Sequence, residues 1–353
     1  MRTDKPLSIW CRYDTLGASS RLRFFQFIPA LENSGFVIDR HHFFDDGYLK
    51  QLYAGNGKSK SAFFSALFRR IKELAALKPG TPLFIEYELL PFVPYFLEKT
   101  FLSRHCYILN FDDAVDLRYC KLPLLCRKYP QLISNAAGII VANDELLNRF
   151  SAYNQNIFKL PTVPPAPPQN VSLDIPQNDL IRIGWIGTPV THRFLWEHTE
   201  TLQKMYAVCP FELLVIAAET LPPIPGIPTR NVNWSCETEH AMLQSCQLGI
   251  MPLDDSPFAR GKSAFKLIQY LRAHIPAIAS AVGENTRVIV KNKTGFCAAT
   301  PDEWISAWQK LADANFRASL APHLAAEAEK YSFDRNAKLL TGFITSTFKE
   351  CYE

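Results

Sequence analysis

The stretch that decides the fold is LGIMPLDDSPFARGKSAFKLIQYLRAHIPAIASAVGENTRVIVKNKTGF, residues 248–296. It begins with an apolar run of strand length at 248–253, passes through a charged loop into a helical pattern from about Ser263, and returns to an apolar run at 276–280. Near-continuous apolar runs on both sides of a helix are typical of buried parallel strands joined by a crossover. The stretch therefore predicts a right-handed strand-helix-strand unit of an open, doubly wound sheet.

The same alternation of apolar runs and helical patterns extends outward through the rest of the chain. The second half contains further candidate strands at 181–187, 211–218, 232–235 and 295–299. The first half contains candidates at 7–13, 36–40, 83–88, 106–111 and 137–142. We therefore predict two doubly wound, Rossmann-like α/β domains that face each other across a cleft, with ligands outside the carboxyl ends of the strands.

Two features place the domain boundaries. The chain has 353 residues, more than the ~250–300 that one hydrophobic core supports. A proline-rich stretch at 161–179 has no apolar periodicity, so it is predicted to be a linker. It separates an N-terminal domain at 1–160 from a C-terminal domain at 180–331. The tail at 332–353 is predicted to be a helix that can pack on either domain, including back on the N-terminal one.

Composition argues against several classes of protein. The 38 Lys and Arg against 34 Asp and Glu give a net charge of +4, which argues against a dedicated nucleic-acid binder. The nine cysteines are odd in number and form no C-x-x-C pair, so neither a disulfide framework nor a zinc site is expected. No apolar run reaches the ~18 residues that span a bilayer, and the charged start does not fit a signal peptide. We expect reduced thiols and a cytoplasmic location.

Two loops of the first domain carry candidate site residues. After the first strand, Gly17, Ser19 and Ser20 have little bulk, so backbone amides at a helix start can approach an anion, and Arg21 adds positive charge. A phosphate or a sugar is predicted there; the alternative is an ordinary turn with a serine N-cap.

The second of these loops carries paired acids. Asp112 and Asp113 directly follow the apolar run at 106–111. Carboxylates at the carboxyl end of a strand can bind sugar hydroxyls or act as a base, although Asp113 can equally cap the next helix. A metal site would need further carboxylates, and Asp116 is the one candidate nearby, so no metal is predicted.

The second domain opens with a turn at Gly187 and Thr188, and the following helix carries Arg193 in its first turn. A cation at a helix N-terminus opposes the macrodipole, so Arg193 is better explained by an anionic ligand than by helix stability. The alternative is an incidental exposed arginine. Further on, Arg260, Lys262 and Lys266 gather at one helix start, where a diphosphate would gain their charge and the helix amides. The alternative there is a solvated charged loop.

Several of these segments resemble one family. They are GIMPL (249–253), GKSAFKLIQYL (261–271), PAIASAVG (276–283) and TGF (294–296), with weaker similarity at GASSRLRFFQF (17–27), LFIEYELLP (83–91) and NFDDA (110–114). On these residues the chain resembles the retaining glycosyltransferases of the group 1 type, which have the two-domain GT-B fold. The resemblance implies that the second domain holds a nucleotide-diphosphate sugar and that the first holds the acceptor.

The chain departs from the family pattern at three of four polar positions. The family's Arg and Lys beside the diphosphate fall on Thr188 and Arg193, so one cation is kept. The family's two glutamates fall on Gly261 and Gln269. Gln269 can still bond ribose hydroxyls, whereas Gly261 cannot replace a side chain that touches the donor sugar.

The resemblance also implies a mechanism. A departing nucleoside diphosphate builds negative charge on its β-phosphate, which Lys266, Arg193 and Arg260 would stabilise without a metal or cofactor. Asp112 or Asp113 would position the acceptor or sugar. The predicted donor-binding residues are Gly187, Thr188, Arg260, Lys262, Lys266, Gln269, Gly283 and Glu284.

One further segment predicts a membrane contact. KSKSAFFSALFRRIK at 58–72 carries five basic residues and no acid, and Phe64, Leu67, Phe68 and Ile71 recur at helical spacing within 58–75. Such a helix can lie on anionic lipid at the inner face of the plasma membrane, or it can pack on its own sheet.

Together, these patterns predict a glycosyltransferase that moves a sugar from a nucleotide-diphosphate sugar to a glycan or lipid-linked acceptor in cell-surface polysaccharide synthesis. A non-catalytic GT-B subunit that binds nucleotide or glycan, and a nucleotide-sugar epimerase, are the alternatives. No nucleic-acid partner is expected.

Overall fold

The structure, a computed structural model, describes residues 5–53, 57, 59–168, 171, 173 and 179–352. The remaining residues of the predicted linker, and Lys58 of the basic segment, lie outside the described residues. The chain divides into two units, one formed by Met1–Thr162 together with Asn336–Glu353 and the other by Val163–Arg335.

The first unit is built on a parallel sheet. Its strands are β1 (Lys5–Tyr13), β2 (Phe36–Phe44), β3 (Leu83–Glu86), β4 (Tyr107–Phe111), β5 (Gly138–Val141) and β6 (Ile157–Lys159). Within the described residues they lie in the order β2-β1-β3-β4-β5-β6, and each neighbouring pair is parallel. The chain reverses direction across the sheet between β1 and β3, because β2 lies on one side of β1 and the later strands on the other.

The helices of the first unit lie between these strands. They are α1 (Ala18–Arg23), α2 (Ile28–Asn33), α3 (Asp46–Tyr53), α4 (Lys60–Ala76), α5 (Tyr95–Leu102), α6 (Lys128–Ser134) and α7 (Asp144–Phe150), with 3-10 turns at Phe25–Phe27 and Val115–Arg118. The sequence predicts one helix from about Ser20 to Asn33, and this prediction is wrong, because α1, a 3-10 turn and α2 occupy the range. Pro29 lies in the first turn of α2, where its missing N–H and its ring interrupt a helix continuing from α1.

The second unit has its own parallel sheet. Its strands are β7 (Ile181–Ile186), β8 (Phe211–Ala217), β9 (Thr229–Asn233), β10 (Leu248–Met251), β11 (Ala277–Ser280) and β12 (Gly295–Ala298). In the described part of the chain the order is β12-β11-β10-β7-β8-β9, again with parallel neighbours. The direction of winding reverses between β7 and β10.

The helices that follow β7 in the chain belong to the second unit up to Arg335 and to the first unit after that residue. They are α8 (Pro189–Glu197), α9 (Thr199–Val208), α10 (Glu239–Gln244), α11 (Pro257–Arg260), α12 (Phe265–Arg272), α13 (Asn285–Val288), α14 (Pro301–Ala312), α15 (Ala314–Ser319), α16 (Ala321–Glu329), α17 (Phe333–Thr347) and α18 (Lys349–Tyr352). From Asn336 onward, α17 belongs to the first unit. No helix in the described residues is both long and apolar enough to cross a bilayer.

Each central strand is buried on both faces. Ile85 and Leu109 in the first sheet, and Leu214 and Ile278 in the second, have no exposed surface. Because both faces are covered by helices, such strands are continuous apolar runs, which is why the sequence predicted them correctly. The strand β6 was not predicted, since a three-residue edge strand leaves too short a pattern.

Candidate functional site

The topology of each sheet identifies one edge where ligands are expected. In open parallel sheets, ligands bind beyond the carboxyl ends of the strands at the point where the strand order reverses. That point lies between β1 and β3 in the first unit and between β7 and β10 in the second. The loops after these strands contain most of the site residues that the sequence predicted.

In the second unit, the turn between β7 and α8 has a capped helix start. The backbone N–H of Thr188 donates to Thr191 Oγ1 at 3.0 Å, which closes a capping box over the first turn of α8. Gly187 precedes this cap. A Cβ atom at Gly187 would lie 2.4 Å from the ring of Trp185 and 2.8 Å from Lys266 Nζ. Glycine is therefore what lets the lysine amine approach the end of β7.

Lys266 lies in the first turn of α12 and reaches across to α8. Its Nζ lies 3.4 Å from Thr191 Oγ1 and 4.2 Å from the centre of the Trp185 ring. Burial, together with the nearby charge of Lys262, lowers the pKa of Lys266 to about 7. Among the described residues no carboxylate pairs with this amine. Lys262 lies 4.7 Å from the ring of Phe258. Lys266 of α12 therefore brings to the start of α8 an amine that no carboxylate of the described residues neutralises.

The two predicted arginines are paired with acids of the loop after β10. Arg193 Nη2 lies 3.4 Å from Asp254 Oδ2. The Arg193 side chain is 53% exposed to solvent and the Asp254 side chain 34%. Arg260 forms a two-pronged pair with Asp255, at 2.6 and 2.8 Å. Exposed pairs of this kind are weak, so an incoming phosphate can replace the carboxylate. The structure brings Arg193 and Lys266 to the same helix start and holds Arg260 on its own loop.

The other predicted donor residues lie around α12 and α13. Gly283 has a left-handed backbone (φ 52°), and a Cβ atom there would lie 2.4 Å from the carbonyl oxygen of Arg260. The glycine loop therefore packs directly on the backbone of the charged loop. Glu284 is buried at the start of α13. Gln269 is buried too, and it lines a small cavity with the proline-rich segment at 164–168.

Sequence reasoning did not single out His192, which lies beside Lys266. Its side chain is buried, and its Nε2 atom has no hydrogen-bond partner within the described atoms. Burial, with a smaller contribution from Lys266, lowers the pKa of His192. The imidazole is therefore held neutral next to the lysine amine. The available sequence signal for His192 was its position in the first turn of the helix that follows Gly187 and Thr188.

In the first unit, the loop after β1 meets a buried carboxylate at the end of β3. Glu86 accepts hydrogen bonds from the backbone N–H of Arg12 at 2.7 Å, from Ser19 Oγ at 2.5 Å and from Ser20 Oγ at 2.6 Å. Burial raises the pKa of Glu86, and the two serine hydroxyls oppose that rise. A phosphate at Ser19 and Ser20 would lie against this carboxylate, so the surroundings favour the sugar over the phosphate. Gly17 and Arg21 flank the same turn.

Tyr87 connects this loop to the predicted acids. Its hydroxyl donates to the carboxylate of Asp112 and lies 3.0 Å from Ser19 Oγ. The backbone of Tyr87 is left-handed (φ 63°), a strained conformation that non-glycine residues adopt mainly at functional sites. Asp112 is partly buried at the end of β4. The carbonyl of Asp113 accepts the N–H of Val115 at 2.8 Å, which forms a tight turn directly before the 3-10 turn, whose N-cap is Ala114.

A buried ionic network holds the segment after β3. Glu88 pairs with Arg12 at 2.5 Å and with Lys128 at 2.7 Å, and Lys128 also pairs with Glu98 at 2.7 Å. Buried charges are tolerated when they are paired and hydrogen-bonded in this way. Sequence reasoning missed Glu86 and Tyr87 as site residues. The available signal was the pair of acids, Glu86 and Glu88, at the end of the apolar strand in LFIEYELLP.

Within the described ranges, no group of three or more His, Cys, Asp or Glu side chains could hold a metal ion.

Comparison with known proteins gives similarity in structure only. No family model matches the chain, and no curated protein matches it. Sucrose-phosphate synthase from Thermosynechococcus elongatus is similar over 98% of this chain and 100% of its own, with 15% identity and a TM-score of 0.69. Anabaena HepE in complex with UDP is similar over 97% and 100%, with 10% identity and a TM-score of 0.65.

A third similar structure is a Listeria monocytogenes protein assigned as a UDP-N-acetylglucosamine 2-epimerase. It covers 99% of this chain and 98% of its own, with 12% identity and a TM-score of 0.64. At these identities the likeness establishes the fold. The chain has the two-domain α/β architecture of the GT-B fold, and the predicted fold class is confirmed.

Proposed function

We propose that the protein is a glycosyltransferase that takes its sugar from a nucleotide-diphosphate sugar bound by the second unit. One observation carries the proposal: Lys266, which has no carboxylate partner among the described residues, lies at the capped start of α8 beneath Gly187. A helix start with an unpaired lysine suits a diphosphate. The similar HepE structure contains UDP, which supports the same ligand class here.

The proposed chemistry is electrostatic. As the nucleoside diphosphate leaves, charge develops on its β-phosphate, and Lys266 with the amides of α8 would stabilise that charge. Arg193 and Arg260 would exchange their present acids for phosphate oxygens. Transfer proceeds with retention and without a metal or cofactor in this proposal. Gln269 would bond the ribose, and Gly283 and Glu284 would line the donor site.

The acceptor is proposed to bind in the first unit. Asp112, held by the hydroxyl of Tyr87, presents a carboxylate that can accept a hydrogen bond from a sugar hydroxyl at the carboxyl end of β4, one strand away from the reversal point. Ser19 adds a second hydroxyl to the same surface. These groups suit a neutral hydroxyl-rich ligand better than an anion, because Glu86 and Asp112 are both carboxylates. We propose a glycan or lipid-linked glycan acceptor in cell-surface polysaccharide synthesis.

The surface of α4 supports an acceptor on a membrane. Phe64 and Phe68 are 65% and 62% exposed, so these two rings of the predicted apolar face are turned away from the sheet. Leu67 of the same face packs against the core, and Ala66 and Leu74 are buried. Lys72 Nζ lies 4.6 Å from the Phe68 ring centre. Exposed aromatic rings flanked by cations suit the headgroup region of an anionic bilayer.

A ligand screen tests the proposed donor site. Thermal unfolding would be followed with uridine, guanosine, adenosine and cytidine diphosphates and with their sugar conjugates, since a ligand that binds only the folded state raises the unfolding temperature. We expect one base to stabilise the protein and Lys266→Met to abolish the effect. Lys204→Met is the matched control, because Lys204 is exposed and paired with Glu200 at 2.7 Å. No stabilisation by any of these ligands would contradict the proposal.

A turnover assay then separates the candidate functions. Release of nucleoside diphosphate that requires an added glycan supports a glycosyltransferase. Conversion of the nucleotide sugar without acceptor would instead support an epimerase, which the Listeria structure keeps as a second candidate. Binding without any turnover would indicate a non-catalytic subunit, consistent with Gly261 and Gln269 standing where the resembled family has glutamates.

A further inference from the structure

The C-terminal segment of the chain closes against the amino ends of strands in the first sheet. The ring of Phe343 in α17 stacks on Phe158, with 5.1 Å between ring centres. Phe348 is fully buried, and the hydroxyl of Tyr352 donates to the carbonyl of Pro6 at 2.8 Å. The segment is thus held by packing and hydrogen bonds on the side of the sheet opposite the proposed site.

Two thiols meet at this closure. Cys106 is exposed and directly precedes β4, where its carbonyl accepts the N–H of Leu83 at 2.9 Å. Cys351, in α18, is partly buried, and its thiol is hydrogen-bonded to Cys106. Burial, with this hydrogen bond, raises the pKa of the Cys351 thiol to about 12. Cys351 therefore keeps its proton at neutral pH, and the exposed Cys106 is the thiol available for attack.

A cavity gives access to the pair. It has a volume of about 850 Å³ and is lined by both cysteines together with Arg104, Lys349 and Glu350. Cavities of ~300–1,000 Å³ hold small organic molecules. Arg104 and Lys349 outweigh the one carboxylate of Glu350, which favours an anionic molecule, and glutathione carries carboxylates. The cavity can therefore bring a low-molecular-weight disulfide to the exposed sulfur.

We propose that Cys106 and Cys351 form a reversible disulfide by exchange with a low-molecular-weight disulfide such as glutathione disulfide. The thiolate of Cys106, having lost its proton to solvent, attacks one sulfur of that disulfide and releases the first small thiol. Cys351 then loses its proton and attacks the mixed disulfide at Cys106, which releases the second. Two protein thiols are oxidised, and the small disulfide is reduced to two thiols. This inference does not depend on the proposed transferase activity.

The disulfide would join the C-terminal segment, which returns to the first unit at Asn336, covalently to Cys106 before β4. The whole of the second unit, Val163–Arg335, lies between the two cysteines in sequence. A disulfide that closes a loop of this length removes much freedom from the unfolded chain. The oxidised protein should therefore unfold at a higher temperature than the reduced protein, and reducing agent should reverse the change.

The test uses the full chain incubated with glutathione disulfide and then analysed by intact mass and by non-reducing peptide mapping. We expect the loss of two hydrogens, a peptide that joins Cys106 to Cys351, and recovery of both thiols with dithiothreitol. Cys106→Ser and Cys351→Ser should each prevent the crosslink, whereas Cys120→Ser, which removes another exposed thiol, should not.

Three results would overturn the inference. The first is a stable glutathione adduct at Cys106 without the internal crosslink, and the second is a disulfide that maps to other cysteines. The third is an unfolding temperature that stays the same in the wild-type protein when mapping shows the Cys106–Cys351 bond. Because mapping is done on the wild-type chain, the inference is tested even where a serine variant folds poorly.

Discussion

Nucleotide-sugar binding to the second unit should weaken as the pH rises above 7, because Lys266 must be protonated to hold a diphosphate. The pKa of this amine is lowered to about 7 by burial and by Lys262. A bound diphosphate would raise it again, since an opposite charge favours the protonated form. Between these two pKa values binding takes up a proton, so affinity is constant below about pH 7 and is lost as the pH rises further.

The size of the effect follows from the pKa. Above about pH 7 the protonated fraction of the free protein falls tenfold for each pH unit, so at about pH 9 the dissociation constant should be ~100-fold higher, or ~2.7 kcal/mol weaker. The diphosphate of a nucleotide sugar is fully ionised throughout this range. The change in affinity therefore does not come from ionisation of the diphosphate.

Isothermal titration calorimetry measures this effect directly. The best-stabilising nucleotide sugar from the screen would be titrated at about pH 6.5, 8 and 9, in buffers that differ in ionisation enthalpy, which also counts the proton taken up. Lys266→Met should bind weakly and independently of pH, and its turnover should fall ~10²-fold or more. Lys204→Met should behave as the wild-type protein does. A dissociation constant that is equal at all three pH values in the wild-type protein would refute the reasoning.

Three further predictions address the remaining surfaces. Gly187→Ala places a Cβ atom 2.8 Å from Lys266 Nζ; titration should show donor binding weakened ~10-fold or more, and unchanged affinity would contradict the proposed site. Asp112→Asn should lower kcat ~10²-fold in steady-state assays while leaving the donor dissociation constant unchanged. A donor dissociation constant that rises ~10²-fold as well would indicate that Asp112 binds the donor and not the acceptor. Combined Phe64→Ser and Phe68→Ser, at two exposed positions, should reduce co-sedimentation with phosphatidylglycerol vesicles ~10-fold, and retained binding would exclude α4 as the membrane contact.

Much of the fold could be predicted because its determinants are local. A strand covered on both faces must be apolar along its length, and LGIMPL and PAIAS show this without any knowledge of their partners. The gathering of Lys262 and Lys266 at a helix start could also be predicted, because both lie within three residues of the start of α12 in the sequence. The short edge strand β6 was not predicted, because three residues are too few to show an apolar pattern.

The pairing of side chains could not be predicted, because each partner comes from a distant part of the chain. Arg193 contacts Asp254, and Lys266 contacts Thr191, only after β7 and β10 have become neighbours in the sheet. Glu86 became a site residue in the same way, since parallel pairing of β1 with β3 brings it under the serines of the first loop.

The sequence by itself determined the two doubly wound domains and the loops that carry the proposed site residues, because the apolar pattern of a strand and the residue types of a loop are recognised without knowledge of distant contacts. Tertiary structure decided that Lys266 meets no carboxylate among the described residues, that Phe64 and Phe68 of α4 stay exposed, and which two of the nine cysteines meet. Helical periodicity defines an apolar face but not what covers it, and a contact such as that of Cys106 with Cys351 depends on how distant segments pack.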